Sequence, residues 1–488
     1  MLTDVQHEPE TALEAAYRPL TSYFDGFAPV ASRWRRRNRA YHDLLSRIAH
    51  FHVLPNSSVL EIGCGTGDLL AALQPRRGVG VDLSPAMVEL ARERHQELDL
   101  RVGAGEELDL AETFDYVILS DLVPYVHDLV TLFERVSAHS HARTRVIVNS
   151  YNSVWRPVLA VAEWLGLKPS KPLRNWVSPQ DVRNLLELAG LEQVTLSRRI
   201  LMPKEVPFLT TALNGGLANL WPFNHLCLTW WIVARPVATN STEQSVSVVC
   251  PCRNEQGHIA DLVRRLPKLG DDMEIVFVEG NSTDDTRGEI ERQIGSHPNR
   301  AMRLVDQPGK GKGDAVRAGF AAARNDVLII LDGDLSVPPE DLPKFYRALV
   351  DGRGELINGS RLVYDIEPGA MRFLNMLGNR VFSRWFKAIT GQHVKDTLCG
   401  TKALLRDDYE HIAAGRSYFG DFDPFGDFDL LFGSARLGLK IVDLPVRYQP
   451  RTYGDTNISR WRHGLLLLRM TVFALWKFRV EPYRASAA

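Results

Sequence analysis

Short apolar runs alternate with longer stretches that repeat apolar residues at helical spacing through most of the chain. The apolar runs have the length of buried strands, as at residues 245–249, 274–278 and 327–331. The stretches between them carry apolar residues on one helical face. This alternation predicts an α/β fold in which mainly parallel sheets are covered by helices.

The alternation stops once along the chain and then starts again. The first series ends with the apolar run at residues 226–234, and small polar residues follow it, as is typical of a linker. The second series ends near residue 450 and is followed by a basic, apolar segment. The sequence therefore predicts a first domain of residues 1–236, a linker of residues 237–244, a second domain of residues 245–450 and an amphipathic tail of residues 451–488.

Composition narrows the setting in which this chain works. Its 488 residues include 45% hydrophobic and 24% charged residues, ordinary values for folded protein, and a net charge of −1 argues against bulk nucleic-acid binding. The five cysteines show neither metal-binding spacing nor a disulfide framework, which fits a reducing cytoplasm. The first residues lack the pattern of a signal peptide, and the longest apolar run is interrupted by Arg469 and too short to span a bilayer.

A glycine-rich loop follows the first predicted strand. Residues 61–67 are Glu-Ile-Gly-Cys-Gly-Thr-Gly, and a helical stretch comes next, so backbone amides could face a polar or anionic ligand. By itself this loop is also compatible with a tight strand–helix junction. The next strand ends in Asp82, an acid suited to ribose hydroxyls. Together the two features indicate a site for a dinucleotide or for S-adenosyl-L-methionine.

The spacing Glu-x-Gly-x-Gly-x-Gly, with Val-Asp-Leu-Ser-Pro-Ala-Met at residues 81–87, resembles class I S-adenosylmethionine-dependent methyltransferases. The resemblance covers residues 50–150 well and residues 150–235 loosely. It implies a Rossmann-like sheet, a glycine loop on the amino-acid part of the cofactor, and Asp82 on the ribose. The family's Gly-Asp-Ala-Glu run is Gly-Ala-Gly-Glu at residues 103–106, so Glu106 is expected to replace the missing aspartate at the adenine. The predicted cofactor-binding residues are Glu61, Gly63, Gly65, Gly67, Asp82 and Glu106.

The methyl acceptor is not specified by the sequence. Because an oxygen acceptor needs a base, His127 is the predicted catalytic residue of this half, at the position where the family's acceptor cleft opens. A surface or structural histidine is the alternative. Two other functions stay open for this half: a scaffold that transfers no methyl group, suggested by the missing aspartate, and a nicotinamide-dependent oxidoreductase, against which the glycine spacing speaks.

The second half carries a different set of polar residues at its strand ends. Residues 308–313 are Pro-Gly-Lys-Gly-Lys-Gly, and lysines among glycines are suited to neutralising phosphate. Asp332 and Asp334 follow a buried strand two residues apart, so both carboxylates can reach one ligand. Such hard oxygen ligands suit Mg²⁺ or Mn²⁺ carrying a diphosphate.

The order of these segments resembles glycosyltransferase family 2, with its GT-A nucleotide-sugar fold, over residues 245–450, and within it the branch related to dolichyl-phosphate-sugar synthases. The resemblance implies a nucleotide-sugar donor, a divalent cation and inversion at the anomeric carbon. Two positions depart from the family. Its paired Asp-Asp is Glu279-Gly280, and its later Ser-Lys is Thr456-Asn457, for which Arg451, Arg460 or Arg462 is expected to compensate. The predicted substrate-binding residues are Pro251, Asn254, Glu255, Glu279, Lys312, Asp332, Arg361 and Arg451, and the predicted metal ligands are Asp332 and Asp334.

The need for a catalytic base depends on the acceptor. A hydroxyl must lose a proton, for which Asp429 is the first candidate and Asp427 the second. A lipid phosphate is already anionic, and Asp429 would then orient the acceptor or the metal. Caps at the start of a helix are the alternative role for both aspartates.

Two basic amphipathic helices are predicted, at residues 372–389 and 459–478. They would lie in a membrane interface or pack on the domain or in a dimer, and the family resemblance favours the membrane. The sequence therefore predicts a bifunctional enzyme, peripheral at the inner face of the cell membrane. It would transfer a sugar to a polyprenyl phosphate or glycan acceptor and a methyl group to a sugar-containing acceptor, in envelope polysaccharide or glycolipid assembly. An active glycosyltransferase with a non-catalytic methyltransferase-like domain is the alternative.

Overall fold

The chain forms two compact units, which are described separately. The computed structural model describes residues 12–167, 169, 172, 175, 177–237, 242–363, 373–418, 427–449, 453 and 460–483. The first unit comprises Met1–Val237 together with Arg479–Ala488, and the second comprises Ala238–Phe478. The last residues of the predicted tail therefore belong to the first unit.

The first unit is built on a seven-stranded sheet with the order β3-β2-β1-β4-β5-β7-β6. Strand β7 is antiparallel to both of its neighbours, and the other pairs are parallel. The strands are β1 (Ser58–Ile62), β2 (Arg77–Asp82), β3 (Asp99–Val102), β4 (Phe114–Ser120), β5 (Ser140–Tyr151), β6 (Leu191–Arg199) and β7 (Thr229–Pro236). The α-helices are α1 (Ala12–Arg37), α2 (Arg39–His52), α3 (Asp68–Ala72), α4 (Pro85–Arg94), α5 (Leu129–Ala138), α6 (Arg156–Trp164), α7 (Pro179–Leu188) and α8 (Leu209–Thr211).

Central strands of this sheet are predominantly apolar because both faces are covered. Leu60 packs into a core formed with α5 and α7, whereas its neighbour Val59 packs into a core formed with α2 and α3. Continuous apolar runs are thus what the sheet requires, and they are what the sequence shows.

The second unit is built on another seven-stranded sheet, with the order β10-β9-β8-β11-β13-β12-β14. Strand β13 is antiparallel to β11 and β12, and the other pairs are parallel. The strands are β8 (Val246–Cys252), β9 (Met273–Glu279), β10 (Ala301–Asp306), β11 (Val327–Ile330), β12 (Leu356–Ser360), β13 (Lys402–Leu405) and β14 (Ile441–Pro445). The α-helices are α9 (Gln256–Arg265), α10 (Thr286–Ser296), α11 (Lys312–Ala322), α12 (Leu342–Val350), α13 (Phe373–Thr390), α14 (Arg406–Ala414), α15 (Asp427–Arg436) and α16 (Arg460–Leu475).

The predicted α/β class with two separate sheets is confirmed. In each unit the adjacent central strands are parallel, so the loops that follow them meet at one edge of the sheet. The polar residues singled out from the sequence lie mostly in those loops.

Within the described parts of the chain, no helix has both the length and the hydropathy needed to cross a membrane.

Candidate active sites

The glycine loop of the first unit is held against β2 by its backbone. The amides of Gly63 and Cys64 donate to the carbonyl oxygen of Val81 at 2.7 and 3.1 Å. Gly63, Gly65 and Gly67 have φ angles of 75°, 53° and 71°, a region that side chains with a Cβ rarely adopt. The three glycines are therefore required by the path of the loop.

Asp82 connects the end of β2 to this loop. Its carboxylate accepts hydrogen bonds from the backbone amides of Gly65 at 2.7 Å and Ser84 at 3.0 Å. Burial raises the pKa of Asp82, and these two hydrogen bonds oppose the increase. Because Asp82 also lines the adjacent cavity, it can receive donors from a ligand.

Glu61 is a buried carboxyl group in the wall of the same cavity. Glu61 is only 3% exposed, and its Oε2 atom has no hydrogen-bond partner among the residues that the structure describes. Burial is the main reason that the pKa of Glu61 rises to about 8. An unsatisfied buried oxygen favours a ligand that brings a donor or a cation, and S-adenosylmethionine has an ammonium and a sulfonium group.

The residues therefore fit S-adenosylmethionine, which would supply an activated methyl group when bound. Glu61, Gly63, Gly65 and Asp82 would hold it. The cavity has a volume of about 720 Å³, within the range of small-molecule sites. Besides the cofactor loop, its wall includes side chains from α1 and α2 and from the end of β4.

We expect S-adenosylmethionine to bind with release of a proton near pH 7. Glu61 is largely protonated there, and a ligand cation beside it favours the ionised form, so affinity should increase as the pH rises toward about 8. Titration calorimetry at pH 7 in buffers of different ionisation enthalpy measures the proton count. Glu61→Gln should release fewer protons, whereas the exposed Glu187→Gln should match the wild type. Equal counts for Glu61→Gln and wild type would contradict the assignment.

Glu106 lines the cavity, but one of its oxygens is occupied by the protein. Oε1 accepts hydrogen bonds from the Tyr17 hydroxyl at 2.5 Å and from the backbone amides of His127 at 3.1 Å and Asp128 at 3.2 Å. Glu106 thus connects α1 to the start of α5. An adenine contact at this position depends on the other oxygen.

The structure does not bring the side chain of His127 to the cavity. His127 is exposed and is not among the residues of the cavity wall, because the chain turns outward there before Asp128 caps α5. Its backbone amide donates to Glu106 at 3.1 Å and to the Tyr17 hydroxyl at 2.8 Å, and its ring packs edge-on against Tyr17.

A polar cluster that the sequence did not reveal lies at the end of β4. The Tyr41 hydroxyl donates to Asp121 Oδ2 at 2.9 Å, and Asn149 Nδ2 donates to Oδ1 at 3.2 Å. Asp121, Tyr41 and Tyr151 all line the cavity, and the rings of Tyr41 and Tyr151 stack 5.8 Å apart. One feature of the sequence did indicate Asp121: it comes directly after β4, much as Asp82 stands at the end of β2. Tyr41 is 80 residues away along the chain, and no local pattern connects the two.

In the second unit, the predicted nucleoside residues form hydrogen bonds in the loops after β8 and β9, and Asn254 joins the two loops. Asn254, at a φ of 58°, accepts the backbone amide of Thr283 at 2.7 Å. Glu279 accepts the backbone amides of Ser282 at 2.6 Å and Asn281 at 3.2 Å. Glu255 is buried, and its Oε2 atom lies 2.9 Å from His258 Nδ1. These contacts shape the loops that a nucleoside would meet.

The predicted phosphate and metal residues lie together. Lys312 Nζ pairs with Asp332 at 2.6 Å, and Asp334 accepts the backbone amide of Ser336 at 3.0 Å. The backbone of Gly400 lies so close to Lys312 and Asp332 that a Cβ there would overlap both side chains. Pro251 is also close, since a Cβ on Gly333 would lie 3.0 Å from its carbonyl oxygen.

Asp332 and Asp334 would hold a divalent cation through hard oxygen atoms. The parts of the chain that the structure describes contain no group of three or more His, Cys, Asp or Glu side chains arranged for a metal ion. When bound, the cation would neutralise charge on the leaving diphosphate.

Arg361 is engaged with a buried carboxylate. Its Nε and Nη2 atoms donate to the two oxygens of Asp396 at 2.7 and 2.9 Å, and it stacks on Tyr448 at 5.1 Å. Burial raises the pKa of Asp396, but Arg361 outweighs this effect and the net change is downward. Since Asp396 begins the loop that carries Gly400, the structure gives Arg361 a positioning contact with this loop.

Asp429 is mostly buried and accepts Arg416 Nε at 2.8 Å. Such an ion pair suits a carboxylate that orients other groups. Asp427 is the first residue of α15, and its side chain is outside the description, as is the whole of Arg451.

Comparison with known proteins identifies both units. Residues 247–412 match the model of glycosyl transferase family 2, and residues 33–196 match a model described as a methyltransferase domain. The chain is 32% identical over 225 residues to the Glycosyltransferase AglJ of Haloferax volcanii, covering 46% of this chain and 69% of that protein. The chain belongs to glycosyltransferase family 2.

This family 2 glycosyltransferase is also 29% identical over 231 residues to the dolichyl-phosphate hexose transferase of Haloferax volcanii, covering 46% of this chain and 92% of that protein. A solved S-adenosylmethionine-dependent methyltransferase from Thermotoga maritima, a possible histamine N-methyltransferase, is 20% identical. The match covers 44% of this chain and 99% of that chain, with a TM-score of 0.35. The predicted combination, an enzyme with fused glycosyltransferase and methyltransferase domains, is confirmed.

Proposed function

We propose that the second unit transfers a sugar from a nucleotide-sugar to a polyprenyl phosphate, with a divalent cation held by Asp332 and Asp334. The observation that carries this proposal is the grouping of Lys312, Asp332 and Gly400 at one edge of the sheet. A cation and a lysine together would neutralise a diphosphate leaving group.

The contacts of Asp429 favour a phosphate acceptor over a glycan hydroxyl. In the proposed inverting step, an acceptor oxygen bonds to the anomeric carbon as the bond to the diphosphate breaks. A phosphate oxygen has no proton to lose, whereas a hydroxyl needs a base. The ion pair of Asp429 with Arg416 suits an orienting carboxylate, and one relative is named a dolichyl-phosphate hexose transferase.

Mass spectrometry can test this proposal with UDP-, GDP- and dTDP-sugars offered in turn. Each is incubated with Mg²⁺ or Mn²⁺ and a short polyprenyl phosphate, and the matched polyprenol without phosphate is the control. The proposal expects a glycosylated lipid from the phosphate alone. Glycosylation of the polyprenol instead, or of neither lipid, would contradict it.

The first unit, we propose, binds S-adenosylmethionine and transfers its methyl group to a sugar-containing acceptor. The unsatisfied Oε2 atom of Glu61 beside the glycine loop carries this part of the proposal. A scaffold that transfers no methyl group is the second candidate, favoured by Ala104 in place of the family's aspartate. A methyltransferase is expected to incorporate methyl groups into the product of sugar transfer, whereas a scaffold is not.

The proposed setting is the inner face of a membrane, in assembly of an envelope polysaccharide or glycolipid. Helix α16 supports this setting, because it is apolar on two faces. One face is buried, and the other is exposed, with Leu465 70% accessible. The buried residues are Leu467, Met470 and Ala474, and the exposed apolar residues are Leu465, Leu468, Val472 and Leu475.

Helix α13 contributes less apolar surface than its sequence predicts. Ile389 and Phe386 are buried in the unit, so this part of the helix packs on the domain. Trp385 remains 41% exposed beside the exposed residues Arg384 and Lys387. Aromatic and basic side chains of this kind suit a lipid interface.

The double variant Leu468→Glu/Val472→Glu should lose binding to anionic vesicles by about tenfold or more, because both new carboxylates would face the lipid. Flotation with phosphatidylglycerol vesicles measures this loss. Ala414→Glu, at an exposed position of helix α14, is the control and should float as the wild type does. If the double variant floats as the wild type does, membrane contact through α16 is contradicted.

A further inference from the structure

We propose that Asp121 takes the proton from a hydroxyl acceptor during methyl transfer, which makes the first unit an O-methyltransferase. This inference rests on the proposed methyl transfer by this unit. It replaces His127 with a residue that lies in the cavity wall.

Asp121 lies at the same edge of the sheet as the cofactor loop. Strands β1 and β4 are adjacent and parallel, with Glu61 paired with Ile118, so Asp121 follows β4 where Gly63 follows β1. Its backbone amide donates to the carbonyl oxygen of Asn149 at 3.0 Å. The φ angle of 53° is uncommon for a residue with a side chain and is a feature often found at functional sites.

The carboxylate of Asp121 is oriented by hydrogen bonds to both of its oxygens. Tyr41 donates to Oδ2 and Asn149 donates to Oδ1. Each carboxylate oxygen can accept more than one hydrogen bond, so an acceptor hydroxyl can donate to an oxygen that already accepts Tyr41 or Asn149. Asn149 is fully buried, which fixes its position.

The neighbouring tyrosines do not compete as bases. Burial and then the charge of Asp121 hold the pKa of Tyr41 well above its usual range. The pKa values of Tyr125 and Tyr151 are likewise raised, with burial the largest cause. These hydroxyls therefore stay protonated at neutral pH, and Asp121 is the carboxylate among them.

The proposed step balances with these groups. The acceptor oxygen forms a bond to the methyl carbon as the carbon–sulfur bond of the donor breaks, and the electron pair of that bond stays on sulfur. The hydroxyl proton passes to Asp121 and later to solvent. An unassisted alcohol is a weak nucleophile, and a positioned base contributes about 10²- to 10⁴-fold to the rate of such a step.

Three matched probes test the acceptor class: a hexose, a 2-amino-2-deoxyhexose and a hexuronate, each as the methyl glycoside and as the farnesyl phosphodiester. Incubation of the full chain with S-adenosylmethionine, followed by mass spectrometry, locates the methyl group. We expect ether formation at a hydroxyl. Methylation only at the amine or the carboxylate would overturn the inference, as would no methylation by a chain that binds S-adenosylmethionine.

The isosteric variant Asp121→Asn tests the base itself. Hydroxyl methylation should decrease by about 10²- to 10⁴-fold while the affinity for S-adenosylmethionine stays within about twofold, which also shows that the unit folds. Tyr41→Phe keeps the carboxylate and removes one donor, so a smaller loss is expected. Asp109→Asn, at an exposed site of the same unit, should behave as the wild type does.

Unchanged hydroxyl methylation by Asp121→Asn would overturn the role of Asp121. Failure of the wild type to bind S-adenosylmethionine is a different result, because it would refute the proposed function of the first unit. Calorimetry with the cofactor alone separates the two.

Discussion

Replacing Asp334 by asparagine should reduce sugar transfer by about 10³-fold or more. Removing a single group that stabilises developing charge typically costs two to three orders of magnitude, and loss of a metal ligand also weakens the donor complex. Asparagine keeps the shape and still accepts the amide of Ser336, so the loop after β11 should keep its path. Binding of S-adenosylmethionine should not change, because the first unit is built on its own sheet.

Initial rates of sugar transfer with saturating donor and increasing Mn²⁺ measure this effect. Asp351→Asn, an exposed aspartate at the end of α12, is the matched control and should keep the wild-type rate. Wild-type activity in Asp334→Asn at every metal concentration would refute the metal assignment. Partial recovery at high Mn²⁺ would agree with a weakened metal site.

Replacing Asp82 by asparagine should weaken S-adenosylmethionine binding by about 30- to 100-fold, or about 2–3 kcal/mol. The carboxylate accepts the amides of Gly65 and Ser84, one on each oxygen. An asparagine amide has one acceptor oxygen and one NH₂ group, which would face a backbone amide. The glycine loop would lose one hydrogen bond, and the ribose hydroxyls would lose one of the two carboxylate oxygens that accept from them.

Titration calorimetry with S-adenosylmethionine measures this change at a pH at which Asp82 is ionised. Asp109→Asn is again the control within the unit. Sugar transfer by Asp82→Asn should match the wild type. An unchanged affinity would show that the cofactor binds away from the end of β2.

Local patterns were enough to find the loops that follow buried strands. The glycine loop and Asp82 lie at the ends of adjacent strands, and Asp332 and Asp334 follow β11 directly. In each case the chemistry and the strand that positions it are contiguous in sequence. The apolar runs were also decisive, because strands covered on both faces are predominantly apolar.

Pairs formed across the fold could not be found in this way. Tyr41 reaches Asp121 from helix α2, Asp396 holds Arg361 through a buried ion pair, and Arg416 holds Asp429. These contacts depend on how elements pack, and they decide which predicted residues remain available to a ligand. His127 shows the reverse case, since its sequence position was close to the cavity but the turn before α5 exposes its side chain.

The most direct test of two separate active sites is a paired measurement on wild type, Asp334→Asn and Asp82→Asn. Each protein is assayed for calorimetric binding of S-adenosylmethionine and for sugar transfer to a polyprenyl phosphate. We predict that Asp334→Asn keeps cofactor binding and loses sugar transfer, whereas Asp82→Asn loses binding and keeps sugar transfer. Loss of both properties in either folded variant would contradict two independent sites.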